Sequence, residues 1–399
     1  MEKYIVLKDL ERGAVGDPFG NASFGPGVRA ISGPPEPRIE VLQLDHHDRA
    51  ELLRDQTVVA LAPAMPTRLI EPVAVAPAAD APATWGVAAV GADTSPFTGQ
   101  GTVVAVLDTG IDATHPAFQG VDIVQRDFTG EGDGDGNGHG THCAGTVFGR
   151  DVDGQRIGVA PGVPKALIAK VLGAEGGGDS EMLLSAIQWA LDNGANVISM
   201  SLGFDFPGLV DESVQAGWPP ALATSRALEL FRGNLRLFDA VMSLARAREA
   251  FGGGAVVVAA AGNESQRNVN PNFEIATSLP AAADGVVSVG ALGRSGDRLD
   301  IAPFSNTFPM IAAPGVGILS AEAGGGLRAM SGTSMATPHV AGLSALWWEQ
   351  IRASGLPLQL IVQTVVAKLR ATARVDTLVD GLDAADRGAG LAVAPDGSS

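Results

Sequence analysis

The sequence is nearly without cysteine: Cys143 is the only one in 399 residues. One cysteine can make neither an intrachain disulfide nor a Cys-based zinc site. The fold must therefore be held by burial and hydrogen bonding. A basic surplus is also missing, since 27 Lys and Arg stand against 44 Asp and Glu, a formal charge of −17. Nucleic-acid affinity comes from cations that neutralise phosphates, so nucleic acid is excluded as a partner, and an anionic membrane surface is disfavoured. No apolar run reaches the ~18 residues that a membrane helix needs. Near the N-terminus the longest run, Tyr4 to Leu7, is shorter than the roughly 7–15-residue core of a secretion signal. A cytoplasmic location is expected by default, with secretion left open. Charged residues are few, at 18%, against 46% apolar, a globular composition rather than a disordered one. By contrast, 52 glycines and 25 prolines imply many tight turns and close backbone approaches. The length exceeds the roughly 250–300 residues at which single cores stop growing, so one large domain and a smaller unit are expected.

The composition shifts near residue 80. Glu71 to Thr84 is rich in Pro and Ala and reads as a linker over residues 71–84. Before it, residues 1–70 carry a β-α-β pattern: strands at Tyr4–Lys8 and Ile39–Leu44, a helix over Asp45–Asp55 with Asp45 as N-cap, and a strand at Thr57–Ala62. Residues 11–37, rich in Gly and Pro, read as an irregular loop. From residue 85 to 399 short apolar runs alternate with helical stretches. The runs are Thr102–Leu107, Ala166–Leu172, Asn196–Met200, Ala255–Ala260 and Val286–Val289, and the helices include Ser180–Asn193 and Asn234–Ala250. This alternation predicts an α/β fold: a parallel β-sheet flanked by helices on both faces, with a small N-terminal α+β unit. Chemistry then belongs at the carboxyl ends of the strands.

Four segments carry candidate chemistry there. Asp108 ends the first run and could orient a base, although an aspartate in that place more simply caps a turn. His139 lies among glycines in Asn137–Gly145, ahead of a buried helix, and could equally be a satisfied core histidine. Ser334, in Gly332–Pro338, opens an apolar helix whose free N–H groups could stabilise an oxyanion, while the plainer role is an N-cap. Asn263 follows a strand and a glycine, and is either an oxyanion donor or a turn asparagine.

Taken together, in the order Asp, His, Asn, Ser, these segments resemble the subtilisin-like serine protease family (subtilases, peptidase S8 type). The motifs are Val106-Leu107-Asp108-Thr109-Gly110-Ile111-Asp112, His139-Gly140-Thr141-His142-Cys143-Ala144-Gly145, Ala261-Gly262-Asn263 and Gly332-Thr333-Ser334-Met335-Ala336-Thr337-Pro338. The resemblance implies a serine endopeptidase working through an acyl-enzyme. Ser334 would be the nucleophile, His139 the general base, Asp108 its orienting partner, and Asn263 with the Ser334 N–H the oxyanion hole. Ser201-Leu202-Gly203 and Ala260 to Gly262 would line the primary pocket, with Glu264 near its mouth. Gly176-Gly177-Gly178 would pair with an extended peptide or protein substrate. His115, His142 and His339 match structural positions. Residues 1–70 resemble a propeptide that acts as chaperone and intramolecular inhibitor, with residues 85–399 as the catalytic domain and the cleavage lying within 63–84.

The match is incomplete for calcium. Ala117 and Val152 stand where the family's stronger site has ligands, whereas Asp127, Asp133, Asp135 and Asn137 resemble a weaker calcium loop in some relatives, or else form a solvated acidic loop. An EF-hand is excluded, because its twelfth position is Ala144. No cofactor is expected for the chemistry itself. Residues 204–254 form a longer connection than usual, read as a lengthened helix over Ala221–Phe251 with an inserted loop, either extra packing or a surface that restricts substrates or binds a partner. Cys143 reads as a small buried apolar residue. Two rival functions stay open: a dedicated precursor-processing protease or peptide cyclase, and a permanently inhibited, binding-only relative.

Overall fold

The computed structural model describes residues 1–9, 37–74 and 84–397. The expected loop at 11–37, apart from Pro37 which opens the second strand, and most of the expected linker therefore lie outside the described residues. The chain opens with strand β1 (Glu2–Asp9), β2 (Pro37–Leu44), helix α1 (His46–Leu52) and β3 (Val58–Pro63). The three strands form an antiparallel sheet in the order β2-β1-β3. Helix α1 starts where the sequence indicates, because the Asp45 carboxylate accepts the His47 and Asp48 N–H groups. Next comes β4 (Pro66–Leu69), which leaves this unit altogether.

The large domain follows helix α2 (Trp85–Ala89). It contains β5 (Val103–Asp108), β6 (Asp122–Asp127), α3 (His139–Phe148), β7 (Lys165–Lys170), β8 (Gly177–Asp179), α4 (Ser180–Asp192), β9 (Val197–Met200), β10 (Leu202–Phe204), α5 (Phe206–Gln215), α6 (Pro220–Glu249) and β11 (Val256–Ala260). Beyond these come β12 (Val286–Ser295), β13 (Arg298–Ile301), β14 (Ile311–Pro314) and α7 (Thr333–Ala353). The main sheet runs β13-β12-β11-β9-β5-β7-β6, with β14 also paired to β12, and only the β12–β13 pair is antiparallel. Both faces are covered. Val104 and Val106 face one apolar cluster with residues of α3 and α7, while Ala105 and Leu107 face the other with residues of α4 and α6. With both faces buried, the strands read as continuous apolar runs rather than alternating ones. Among the described residues no helix is long and apolar enough to cross a membrane.

The 204–254 connection is more ordered than the sequence suggests. Its expected loop is largely a helix, α5, started by Asp205 accepting the Gly208 N–H at 2.9 Å with Pro207 in the first turn. The expected long helix is present as α6. Phe206 meets Phe231 edge-on at 6.1 Å, and Phe204 meets Phe238 at 5.6 Å. Helix α6 also faces the N-terminal unit, since Asn234 Nδ2 donates to the Pro63 carbonyl at 3.0 Å.

Candidate active site

Three neighbouring strands of the parallel sheet end together. Asp108 is the last residue of β5, Ser201 follows β9, and Asn263 lies just beyond β11. Helices α3 and α7 bring His139 and Ser334 to the same end, each within the first two residues of its helix. Asp108, His139 and Ser334 are all buried. His139 Nδ1 lies 2.7 Å from Asp108 Oδ1, while His139 Nε2 and Asp108 Oδ2 are buried without a partner. Helix α3 can approach Asp108 this closely because residue 140 is glycine. A Cβ there would collide with the Gly110 carbonyl.

The Asn263 side chain is aimed by the start of α7. Its Oδ1 accepts the Thr333 N–H at 2.9 Å and the Thr333 hydroxyl at 2.8 Å, which leaves Nδ2 pointing outward as a donor. The preceding Gly262 has φ 113°, and a Cβ on it would run into Asn306 and Glu264. Ser201 Oγ donates to the Ser334 carbonyl at 3.1 Å.

The cleft is filled by the chain's own segment 66–73. Strand β4 lies between β8 and β10 as the middle strand of a three-stranded antiparallel sheet. Thr67 and Arg68 pair with Gly178 and Gly177, the Leu69 N–H donates to the Gly176 carbonyl at 2.8 Å, and Leu202 and Gly203 pair with Leu69 and Arg68. Beyond β4, Ser334 Oγ donates to the Ile70 carbonyl at 3.0 Å, Asn263 Nδ2 donates to the Glu71 carbonyl at 2.9 Å, and the Val73 N–H donates to the Ser331 carbonyl at 2.7 Å. The structure thus brings Gly176, Gly177, Gly178, Leu202, Gly203, Asn263 and Ser334 onto one extended strand, with Ser201 bonded to Ser334 and Gly262 next to Asn263 in the chain. Sequence reasoning missed β4 itself, whose four residues carry no periodic signal.

Electrostatics distinguish the histidines. Burial alone would depress His139, yet Asp108 overrides it and holds the imidazole well above its ordinary value. The nearby Cys143 thiol, with Sγ 3.8 Å from His139 Nδ1, is itself pushed up by burial and stays neutral. His142 is pushed down to about 3, first by burial and then by His139, and its Nε2 binds the Ile318 carbonyl at 2.9 Å. Burial takes His339 to about 4. Both are structural neutral rings, and of these three buried histidines only His139 has a carboxylate partner suited to a general base.

The candidate calcium loop does not assemble. Asp127 Oδ1 accepts from Thr129 N–H and hydroxyl, and Oδ2 accepts from the Gly132 N–H at 2.7 Å. Asp135 turns inward to Thr109 and Thr141, and Asn137 Nδ2 donates to the Ala174 carbonyl. Asp133 is exposed. Among the described residues, the one place where three groups of metal-ligating type converge is Asp108, His139 and Cys143. The loop therefore does not fit an ion cage: the oxygens of Asp127 and Asp135 are engaged by backbone N–H groups and threonines, and Asp133 joins no cluster of ligating side chains among the described residues.

A sequence model described as the subtilase family matches residues 99–390. The chain belongs to the subtilase family. It is 36% identical over 273 residues to a thermophilic serine proteinase of Bacillus sp. (strain AK1), an alignment covering 66% of this chain and 56% of the relative. It is 34% identical over 254 residues to an intracellular serine protease of Paenibacillus polymyxa, covering 62% and 67%. With subtilisin Savinase of Lederbergia lenta it shares 33% over 270 residues, covering 66% and 82%. The chain thus spans little more than half the length of the first of these subtilases. For this family the mostly parallel sheet with helices on both faces is the expected architecture, and catalysis needs no cofactor.

Proposed function

We propose that this subtilase is a serine endopeptidase made as an autoinhibited zymogen. Ser334 attacks the scissile carbonyl and forms an acyl-enzyme, and His139 takes its proton and later returns it to the leaving amine. Asp108 keeps His139 in the required tautomer and stabilises its imidazolium, and Asn263 with the Ser334 N–H stabilises the tetrahedral oxyanion. One observation carries this reading. The Ser334 hydroxyl and the Asn263 amide, beside a His139 held 2.7 Å from Asp108, both grip main-chain carbonyls of a strand lying in the cleft. A peptide substrate would take the same course, with main-chain pairing supplying affinity and side-chain pockets supplying selectivity.

The same strand supports the autoinhibited state, with residues 1–70 as prodomain and 85–399 as catalytic domain. The serine and the asparagine hold the carbonyls of successive residues, Ile70 and Glu71. Attack requires both groups at one carbonyl, so the tail is bound in a register that resists cleavage. That split register also favours the second reading, a relative that stays inhibited and only binds. Ser334→Ala tests the proposal. The variant should keep the fold and lose all fluorophosphonate labelling and any self-cleavage, and labelling at the wild-type rate would overturn the assignment. A purified wild-type chain that neither labels nor loses its N-terminal segment would support the binding-only reading.

A further inference from the structure

Asp135 carries more than a loop aspartate needs to. Its Oδ1 accepts from the Thr109 hydroxyl at 2.8 Å, the Gly138 N–H at 2.8 Å and the Asn137 N–H at 3.1 Å. Its Oδ2 accepts from the Thr141 hydroxyl at 2.6 Å and the Thr141 N–H at 2.9 Å. The two hydroxyls pass the interaction on. Thr109 Oγ1 accepts the Gly140 N–H at 2.9 Å, and Thr141 Oγ1 accepts the Asp112 N–H at 2.9 Å. Each threonine therefore donates to Asp135 and accepts from the segment opposite its own. One carboxylate ties the turn after Asp108 to the helix that begins at His139.

Both ends of the tie reach the reacting groups. Thr109 follows Asp108 directly, and its N–H donates to the same Asp108 Oδ1 that His139 Nδ1 contacts, at 2.8 Å. Helix α3 has Gly138 as its N-cap, which offers no side chain. Asp135 supplies the missing acceptor, and its negative charge sits where the first-turn N–H groups converge. Burial opposes that charge, but the hydrogen bonds from Thr141, Gly138 and Thr109 outweigh it and hold the carboxyl below its usual range.

We infer that Asp135 is a positioning residue for the Asp108–His139 pair, setting the separation of the turn and the helix on which the two groups stand. This rests on the triad reading above. A catalytic pair displaced by about 1 Å loses roughly 10²-fold in rate, and Asp135 holds both threonine hydroxyls through which the turn and the helix bond to each other.

The test compares Asp135→Asn and Thr109→Val in the full chain. The quantities read are the maximum rate of fluorophosphonate labelling of Ser334, the half-saturating probe concentration, and the pH dependence of the rate. Asp135→Asn turns one acceptor into an amide donor facing other donors. It should lower the maximum rate by about 10²-fold, leave half-saturation little changed, and move the acid limb to lower pH as Asp108 loses its hold on His139. Thr109→Val leaves every Asp135 bond to α3 in place and removes both bonds of the Thr109 hydroxyl, the one it donates to Asp135 and the one it accepts from the Gly140 N–H. It should shift the same limb in the same direction by a smaller amount. A wild-type limb for Thr109→Val overturns the inference, as does a wild-type profile for Asp135→Asn. Ser334→Ala run in parallel separates the two levels: if it still labels, the triad reading fails; if it is silent while both positioning variants match wild type, only this inference fails.

Discussion

Leu69→Ala should open the cleft. Leu69 is 7% exposed and lies in the same buried cluster as Leu172, Leu202 and Phe204. The main-chain bonds of the tail survive the change, since they use the Leu69 N–H and the carbonyls of Ile70 and Glu71. What is lost is three buried carbons. At about 0.8 kcal/mol each they amount to about 2.4 kcal/mol, and at 1.4 kcal/mol per factor of ten the open-cleft population should rise about 50-fold. The assay is the initial rate of fluorophosphonate labelling of the uncut chain, resolved on a gel from any shorter product. Arg68→Ala is the internal comparison. The Arg68 side chain makes only a surface pair with Asp205, at 3.3 Å and 51% side-chain exposure, and such pairs contribute about 0–1 kcal/mol. Its labelling rate should therefore change no more than about fivefold. If Leu69→Ala labels at the wild-type rate, or Arg68→Ala accelerates labelling more than Leu69→Ala does, the tail is not held by burial and the autoinhibition argument fails.

Two further outcomes follow from the site. Asn263→Ala removes a donor that Thr333 aims outward. Turnover of a peptide substrate should fall about 10²–10³-fold, the loss found for such a donor in a subtilisin, with little change in KM; an unchanged kcat would remove Asn263 from the oxyanion hole. The pH dependence has a definite sign. Asp108 raises His139, and only the neutral ring can accept the Ser334 proton, so labelling and turnover should climb as pH rises through the elevated value. Asp108→Asn should move that limb to lower pH and cost about 10⁴-fold in kcat, and a limb that stays in place would show that another group sets it.

The legible and illegible parts of this molecule differ in how far each contact reaches along the chain. Asp108, Asn263 and Ser334 stood out because each lies near where a buried strand ends or a buried helix begins, within two residues of a glycine. Strands β5, β7, β9 and β11 were legible as apolar runs for the same local reason. Strand β6 was not, because its sequence Asp122–Asp127 carries charges at both ends and lies at the sheet edge.

Strands β4, β8 and β10 are three or four residues long and exist only as one another's partners. Thr67 meets Gly178 and Phe204, more than a hundred positions away, and nothing local announces the pairing. Asp135 was misread for a related reason. The spacing Asp133-Gly-Asp135-Gly-Asn137 imitates an ion loop, but the groups that claim the Asp135 carboxylate are three backbone N–H groups and two hydroxyls, one of them 26 residues upstream. The register of residues 70 and 71 is the furthest from view. Main-chain hydrogen bonds carry the tail across Ser334 and Asn263 without consulting side chains. The sequence shows neither the strand in the cleft nor which of its carbonyls meets the Ser334 hydroxyl, and under the proposed zymogen reading that register decides whether the chain cuts itself or stays closed.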